Sequence, residues 1–188
     1  MTDNAKKEFA LLDTKFGTVD PASISEQTSK TDKPYLTATM VTGSGKEVTI
    51  YAHGEKRIAA LREKAATGEP LFVTGELLAK GAGISASKFE PTTYSGKITE
   101  ITKEGENDGR PWAAAKLKVA DKEKPMAILA TGDDVARVKQ AGDAEIAIDA
   151  VWVARKREDG SWRSSAVSAN TLMREPAPEA GEPEAPGV

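Results

Sequence analysis

The 188-residue sequence contains no cysteine and only one histidine. The absence of cysteine excludes disulfides, thiol catalysis and cysteine-based zinc sites. The acidic residues do not recur at the spacing of metal ligands or paired catalytic carboxylates, and no glycine-rich phosphate-binding motif precedes a helix. We therefore expect a protein that is not an enzyme and that has no cofactor and no metal site.

Long apolar runs are also missing from the chain. A membrane-spanning helix needs about 20 mostly apolar residues, and no run of that length occurs. The first residues, MTDNAKKEFALL, lack the apolar segment of a signal peptide. Together with the absence of cysteine, these features predict a cytoplasmic protein with no membrane partner.

Neither sign of charge is in excess over most of the chain. Residues 1–94 carry 12 basic and 12 acidic side chains, and residues 95–173 carry 13 of each. A strongly basic domain would favour nucleic-acid binding on charge alone, so any anionic polymer must here be held by local patches. The net charge of -3 lies in residues 174–188, REPAPEAGEPEAPGV. Because this segment has almost no bulky apolar side chain, we expect a disordered acidic tail.

The main feature that is present is an internal repeat. The stretch from Lys33 to Leu78 and the stretch from Arg110 to Ala154 contain the same order of strand, turn, strand, glycine, short helix and strand. Corresponding residues are separated by 77 to 79 positions: Tyr35 and Trp112, Gly54 and Gly132, Gly17 and Gly96. An ordered set of matches at one spacing indicates a duplicated structural unit.

Alternating apolar residues and glycine punctuation predict the elements of the first unit. Strands are expected at residues 14–19, 34–41, 47–53, 71–77 and 84–91. A helix is expected from the helical spacing of Ile58, Leu61 and Ala65. The polar stretch from Asp20 to Asp32 is expected to be a loop.

The second unit repeats this order. Its inward-facing strand residues are expected to be Ala113, Ala115, Leu117, Val119, Met126, Ile128, Ala130, Ile146, Ile148, Ala150 and Trp152. A short helix is expected from Asp133 and a fifth strand from Ser161 to Leu172. The expected domains are residues 1–94, residues 95–173 and the tail of residues 174–188.

The order of elements is that of an OB-fold barrel, and the motifs resemble one family. These motifs are IYAHGEKRIAAL and ILATGDDVARV, GEPLFVTGEL and GDAEIAIDAVW, and the basic hairpin VARKREDGSWRSSAVSANTL. Each unit is similar to the bacterial and phage-type single-stranded DNA-binding proteins, over about residues 14–173. The resemblance implies an all-β protein with short helices, built as two tandem five-stranded OB-fold barrels.

The resemblance also implies a function and partners. It implies sequence-tolerant binding of single-stranded DNA in replication, repair or recombination. Because the family assembles about four OB units per particle, two units per chain imply a homodimer. Replication or recombination proteins are further candidate partners.

Single strands are bound by cations along the backbone and flat side chains beneath the bases. The outward face of the second strand in the second unit offers Trp112, Lys116 and Lys118, with Arg110 just before it. The alternative is an ordinary solvated strand whose lysines discourage edge pairing.

The densest basic cluster lies in the last hairpin. It consists of Arg155, Lys156, Arg157, Trp162 and Arg163. Arginine planes can stack on bases and pair with phosphates. The alternative is a solvated hairpin tip whose charge is balanced by acidic neighbours.

The first unit offers Tyr35 and Tyr51 on outward faces, but threonines replace the lysines of the second unit. We therefore expect the first unit to bind more weakly. The single His53 is interpreted as a surface residue, and Trp152 as part of the core.

Two other functions remain open on the sequence. OB barrels support many tasks, so two neutral units are also compatible with a protein-interaction scaffold that has no nucleic-acid role. An RNA-binding module is the second alternative.

Overall fold

The computed structural model describes residues 11–78 and 83–173. Their strands are β1 (Leu12–Val19), β2 (Ser25–Thr28), β3 (Pro34–Thr42), β4 (Glu47–His53), β5 (Leu71–Leu77), β6 (Ile84–Lys88), β7 (Thr92–Asn107), β8 (Arg110–Val119), β9 (Met126–Thr131), β10 (Glu145–Lys156) and β11 (Trp162–Ser168). The helices are α1 (Glu55–Thr67) and α2 (Asp133–Gln140), and short 3₁₀ turns occupy Pro21–Ser23 and Ala169–Thr171.

The first barrel is a ring of five strands in the order β1-β5-β6-β4-β3, which closes through pairing of β1 with β3. The pairing of β4 with β6 is parallel, and the other pairings of the ring are antiparallel. Helix α1 connects β4 to β5. The short β2 pairs with the N-terminal half of β3, from Pro34 to Thr37.

The second barrel has the same topology. Its ring is β7-β8-β9-β11-β10, the pairing of β9 with β11 is parallel, and α2 connects β9 to β10. A five-stranded ring with a helix after the third strand is the OB fold. The predicted fold class, two tandem OB barrels in a mostly β protein, is confirmed. The predicted acidic tail lies outside the described residues.

Each barrel encloses its own apolar core, as the alternation of its strands predicts. In the first barrel Leu36, Met40 and Ile50 are completely buried, and Leu61 of α1 packs into the same core. In the second barrel the buried set is Ala113, Ala115, Leu117, Ile128, Ala130, Val135, Val138, Ile148 and Ala150. Burial of a large aliphatic side chain contributes about 1.5–3 kcal/mol, so these sets hold the barrels together.

Two glycines allow the rings to close. A Cβ atom added to Gly17 would lie 2.2 Å from the carbonyl oxygen of Val41, and one added to Gly96 would lie 2.2 Å from that of Lys118. Val41 and Lys118 are themselves 77 positions apart, so the same close approach occurs at equivalent places. The repeat seen in the sequence therefore includes the point where the first strand of each barrel meets the second.

Several boundaries differ from the sequence prediction. Strand β1 begins at Leu12, and the expected strand from Ser161 to Leu172 ends at Ser168, where the 3₁₀ turn of Ala169–Thr171 follows. The expected loop at residues 20–32 contains β2, whose sequence SEQT has no apolar residue and so gives no periodic signal. Strand β6 ends at Lys88. Strand β7 begins at Thr92, which pairs with Ala150 of the second barrel, three residues before the expected start of the second domain.

The two barrels contact each other through an apolar cluster. Phe16 and Phe72 of the first barrel lie with ring centroids 4.7 Å apart. They pack with residues on the outer surface of the second barrel: Leu129, Val151, Val153, Val167, Ala169 and Leu172. These two phenylalanines thus pack between the barrels, whereas Phe89 lies in the core of the first barrel.

Hydrogen bonds from β1 to β10 accompany this cluster. The Thr14 hydroxyl donates to the carbonyl oxygen of Trp152 at 2.7 Å, and the Ala154 amide donates to the buried carboxylate of Asp13 at 3.3 Å. The ammonium of Lys15 lies 2.8 Å from the other oxygen of that carboxylate. Trp152 itself is only half-buried and is outside the core cluster of its barrel, so the expectation that it belongs to the core is wrong. Its neighbours Val151 and Val153 pack in the cluster between the barrels.

Candidate nucleic-acid interface

Three of the predicted site residues line one cleft on the second barrel. Arg110, Trp112 and Arg155 surround a space of about 360 Å³. Glu106 and Asn107 of β7 line the same cleft, and Leu129, Thr131 and Thr171 complete most of the remaining wall. The cleft combines a flat aromatic side chain with two guanidinium groups, which are the kinds of group that proteins use to bind single-stranded nucleic acids.

The β7–β8 turn places Arg110 and Trp112 at the mouth of the cleft. Asn107 pairs with Arg110 across a two-residue loop of Asp108 and Gly109, both of which have positive φ. Asp-Gly is a favoured sequence for such a hairpin turn because it accepts this backbone twist. Arg110 is exposed, and Trp112, two residues further along β8, is half-buried.

The far wall of the cleft is held by hydroxyl groups. The hydroxyl of Thr131 lies 2.8 Å from that of Thr171 and 3.0 Å from that of Ser168. Asn170 donates a further hydrogen bond of 2.9 Å to the buried carboxylate of Asp134 in α2. The 3₁₀ turn after β11 is therefore tied to the end of β9, and it forms a fixed side of the cleft.

The charge of the cleft is available for a ligand. Among the described residues, neither Arg110 nor Arg155 lies within ion-pair distance of a carboxylate. Glu106 contributes one opposing charge to the lining. Two cations and one carboxylate leave the cleft with a net positive charge.

The two predicted lysines of β8 have partners and do not line this cleft. The ammonium of Lys116 lies 2.6 Å from the carboxylate of Glu100, its cross-strand neighbour. That of Lys118 donates to the carbonyl oxygens of Lys122 and Glu123, at 2.6 and 2.7 Å. An exposed ion pair contributes only about 0–1 kcal/mol, so Lys116 can exchange Glu100 for a phosphate at small cost. Lys118 instead stabilises the β8–β9 loop.

The β10–β11 hairpin carries the remaining predicted cations. Arg155 pairs across the strands with Arg163, and Lys156 with Trp162. Trp162 is 53% exposed. Arg155 lines the cleft, and it is also the first of the exposed residues at the end of β10. It therefore belongs both to the cleft and to the basic hairpin.

A short turn closes this hairpin. The Arg157 amide donates to the carbonyl oxygen of Ser161 at 2.8 Å. The Asp159 carboxylate accepts hydrogen bonds from the hydroxyl and the amide of Ser161, which lower its pKa. Among the described residues, no carboxylate lies within ion-pair distance of Arg157.

The first barrel brings three rings together on β3 and β4. The ring of Tyr35 is 5.1 Å from that of His53 and 6.4 Å from that of Tyr51. His53 is exposed, and the tyrosines are half-buried. His53 is a surface residue, as expected, but the sequence interpretation missed this group, although counting back from the turn between β3 and β4 pairs residue 35 with residue 53.

Residues 11–78 and 83–173 give no sign of two other kinds of site. There, His, Asp and Glu do not form a group of three or more that could hold a metal ion. Over the same residues, neither α1 nor α2 combines the length and apolar character needed to cross a membrane.

Comparison with known proteins gives likenesses in structure only. No protein-family model and no curated protein matches the chain. Wild-type single-stranded DNA-binding protein from Thermus aquaticus is 12% identical with a TM-score of 0.36, covering 93% of this chain and 95% of that one. A deletion mutant of that protein is 14% identical, also with a TM-score of 0.36. The Ifi202 HINa domain in complex with double-stranded DNA is 12% identical, with a TM-score of 0.26 and coverage of 86% and 95%. The fold is defined by the strand order and pairing described above rather than by these likenesses.

Proposed function

We propose that this protein binds single-stranded DNA with little sequence preference. The observation that carries the proposal is the cleft in which Trp112 lies beside the ion-pair-free Arg110 and Arg155. Stacking of a base on an aromatic side chain contributes about 1–3 kcal/mol and is similar for all bases. A duplex buries the faces of its bases, so a cleft of this kind favours an unpaired strand.

In this proposal the strand continues from the cleft along the β10–β11 hairpin. Arg155 belongs to both regions, and exposed Trp162 offers a second stacking surface beside Lys156. The row of Tyr35, His53 and Tyr51 is a separate contact on the first barrel. It is the weaker one, because Thr39 and Val41 occupy the strand positions that hold Lys116 and Lys118 in the second barrel.

The wider role follows the resemblance of the sequence motifs. We place the activity in DNA replication, repair or recombination in the cytoplasm, with a homodimer presenting four OB barrels. Proteins of replication or recombination are the candidate partners. The division into two domains, expected at residues 1–94 and 95–173, is kept as part of this proposal, with the start of the second domain moved to Thr92, where β7 begins.

A titration with oligothymidylate tests the proposal. Intrinsic tryptophan fluorescence is followed at low and at moderate salt, and quenching that weakens as salt rises is expected, because phosphate contacts release counterions. Absence of binding at low salt would favour the scaffold function instead. Competition with oligouridylate separates the alternatives further, since tighter binding of the RNA strand would favour an RNA-binding module.

A further inference from the structure

Gly105 occupies the interior of a long strand, where glycine weakens a sheet because it has no side chain to pack. It lies on β7 directly opposite Trp112 of β8. Its φ is not among the positive values found at the turn glycines. The backbone conformation therefore does not explain why this position is a glycine.

The space around Gly105 gives a different reason. An added Cβ atom would lie 2.8 Å from Cζ2, 2.9 Å from Cε2 and 3.1 Å from Nε1 of Trp112. The three nearest atoms all belong to the indole, whereas at Gly17 and Gly96 they belong to the backbone of a neighbouring strand. One edge of the indole therefore lies against the space that a side chain at residue 105 would occupy, and Trp112 also lines the cleft beside Arg110 and Arg155.

We propose that Gly105 is a positioning residue that holds the Trp112 indole in the orientation in which a base stacks on it. The inference rests on the proposed function. A methyl group at residue 105 would displace the ring, because real Cβ contacts shorter than 3.0 Å essentially never occur. The displaced part is the far end of a side chain, so the barrel itself can stay intact. A purely structural role, in which the ring covers the glycine backbone to stabilise the strand, predicts a loss of stability instead.

The position of the ring is tested without DNA. Replacing Trp152 and Trp162 by phenylalanine leaves Trp112 as the sole tryptophan, since the chain has three. In that background Gly105→Ala should shift the emission maximum and raise quenching by acrylamide, with little change in melting temperature. Unchanged emission and quenching would overturn the proposed placement.

The role in binding is tested in the otherwise native chain with a labelled oligothymidylate, whose anisotropy reports the affinity. Stacking on one base corresponds to a factor of roughly 5 to 150 in affinity, and we expect Gly105→Ala to lose about three- to tenfold. In the Trp112→Ala background the same substitution should have no further effect, because the ring it displaces is gone. A loss that persists there would overturn the proposal, since Gly105 would then act through the strand.

A second pair of variants covers the case in which Gly105→Ala does not fold. Trp112→Leu removes the indole atoms that an alanine methyl would meet, so Gly105→Ala/Trp112→Leu should fold and bind like Trp112→Leu alone. A marked further loss in the double variant contradicts the proposal. If the native chain does not bind oligothymidylate at all, the proposed function and the binding role of Gly105 both fail, while the emission of Trp112 still reports whether Gly105 places the ring.

Discussion

Arg155 and Arg163 are direct neighbours across β10 and β11, and neither has a carboxylate within ion-pair distance among the described residues. Like charges directly opposite each other destabilise a strand pair. A phosphate between the two guanidinium groups would relieve this repulsion. Under the proposed function, the hairpin therefore keeps these two cations for a phosphate at a small cost in its own stability.

Replacement of Arg163 by threonine should weaken DNA binding without weakening the fold. Threonine suits a strand and removes the repulsion with Arg155. The slope of log K against log salt is negative, and its magnitude falls by about 0.7 for each cation that no longer pairs with a phosphate of a single strand. A decrease of that size is therefore expected in salt titrations. Arg62→Ala is the control, because Arg62 lies on α1 and pairs with Glu26. An equal decrease in the control would show that only total charge matters.

The two barrels should contribute unequally to binding. Trp112→Ala should lower the affinity for oligothymidylate by roughly tenfold or more, as expected for loss of one stacked base. Tyr35→Ala should cause a smaller loss, because its strand offers Thr39 and Val41 in place of Lys116 and Lys118. The measurement is the anisotropy of a labelled oligonucleotide with each variant. Equal losses would mean that the row of rings on the first barrel binds as strongly as the cleft.

The turn of the β10–β11 hairpin should remain intact in mild acid. Hydrogen bonds from Ser161 hold the pKa of Asp159 below its ordinary value of 3.8. A carboxylate with a lowered pKa stabilises the folded form above its unfolded pKa, and that stabilisation is lost as the pH falls through the folded pKa. Ser161→Ala should raise the pKa of Asp159 toward its ordinary value, as followed by NMR of the carboxyl carbon. An unchanged pKa would show that Ser161 is not the cause.

The contact between the barrels should make unfolding cooperative. Phe72 is 6% exposed and packs against Val151 and Val167 of the other barrel. Phe72→Ala should cost about 3–5 kcal/mol and separate one calorimetric transition into two. Phe89 lies in the core of the first barrel, so Phe89→Ala should lower stability. When it is combined with Phe72→Ala, it should lower the melting temperature of the first barrel alone. A single unchanged transition in Phe72→Ala would contradict a role for the cluster in coupling the barrels.

The barrels could be predicted because they are built from local alternation. The inward faces of β3 and β8, and the matched pair Gly17 and Gly96, all follow from periodicity and spacing within the chain. The strand β2 was not predicted, because its four polar residues are stabilised by pairing with β3 and give no pattern of their own.

The candidate site could be predicted only in part. The residue types of Trp112 and of the basic hairpin are enough to suggest nucleic-acid binding. That Trp112 and Arg155 line the same cleft depends on how β8 and β10 lie in the ring, which the sequence does not show. The partners of Lys116 and Lys118 depend on strand register and on a loop carbonyl, which residue type does not reveal. Gly105 has no side chain that would suggest a function from the sequence. Its proposed role can be inferred only from the structure, where it lies opposite Trp112.

The apolar contact around Phe16 and Phe72 also limits how copies of the chain can assemble. The outer surface of β9, β10 and β11 that carries Leu129, Val151 and Val167 is already occupied by the first barrel of the same chain. A second copy cannot use that surface without separating the two barrels. Any dimer must therefore be built from other faces. A substitution that weakens the packing of Phe72 would expose this apolar surface, and the exposed surface would favour exchange of barrels between chains.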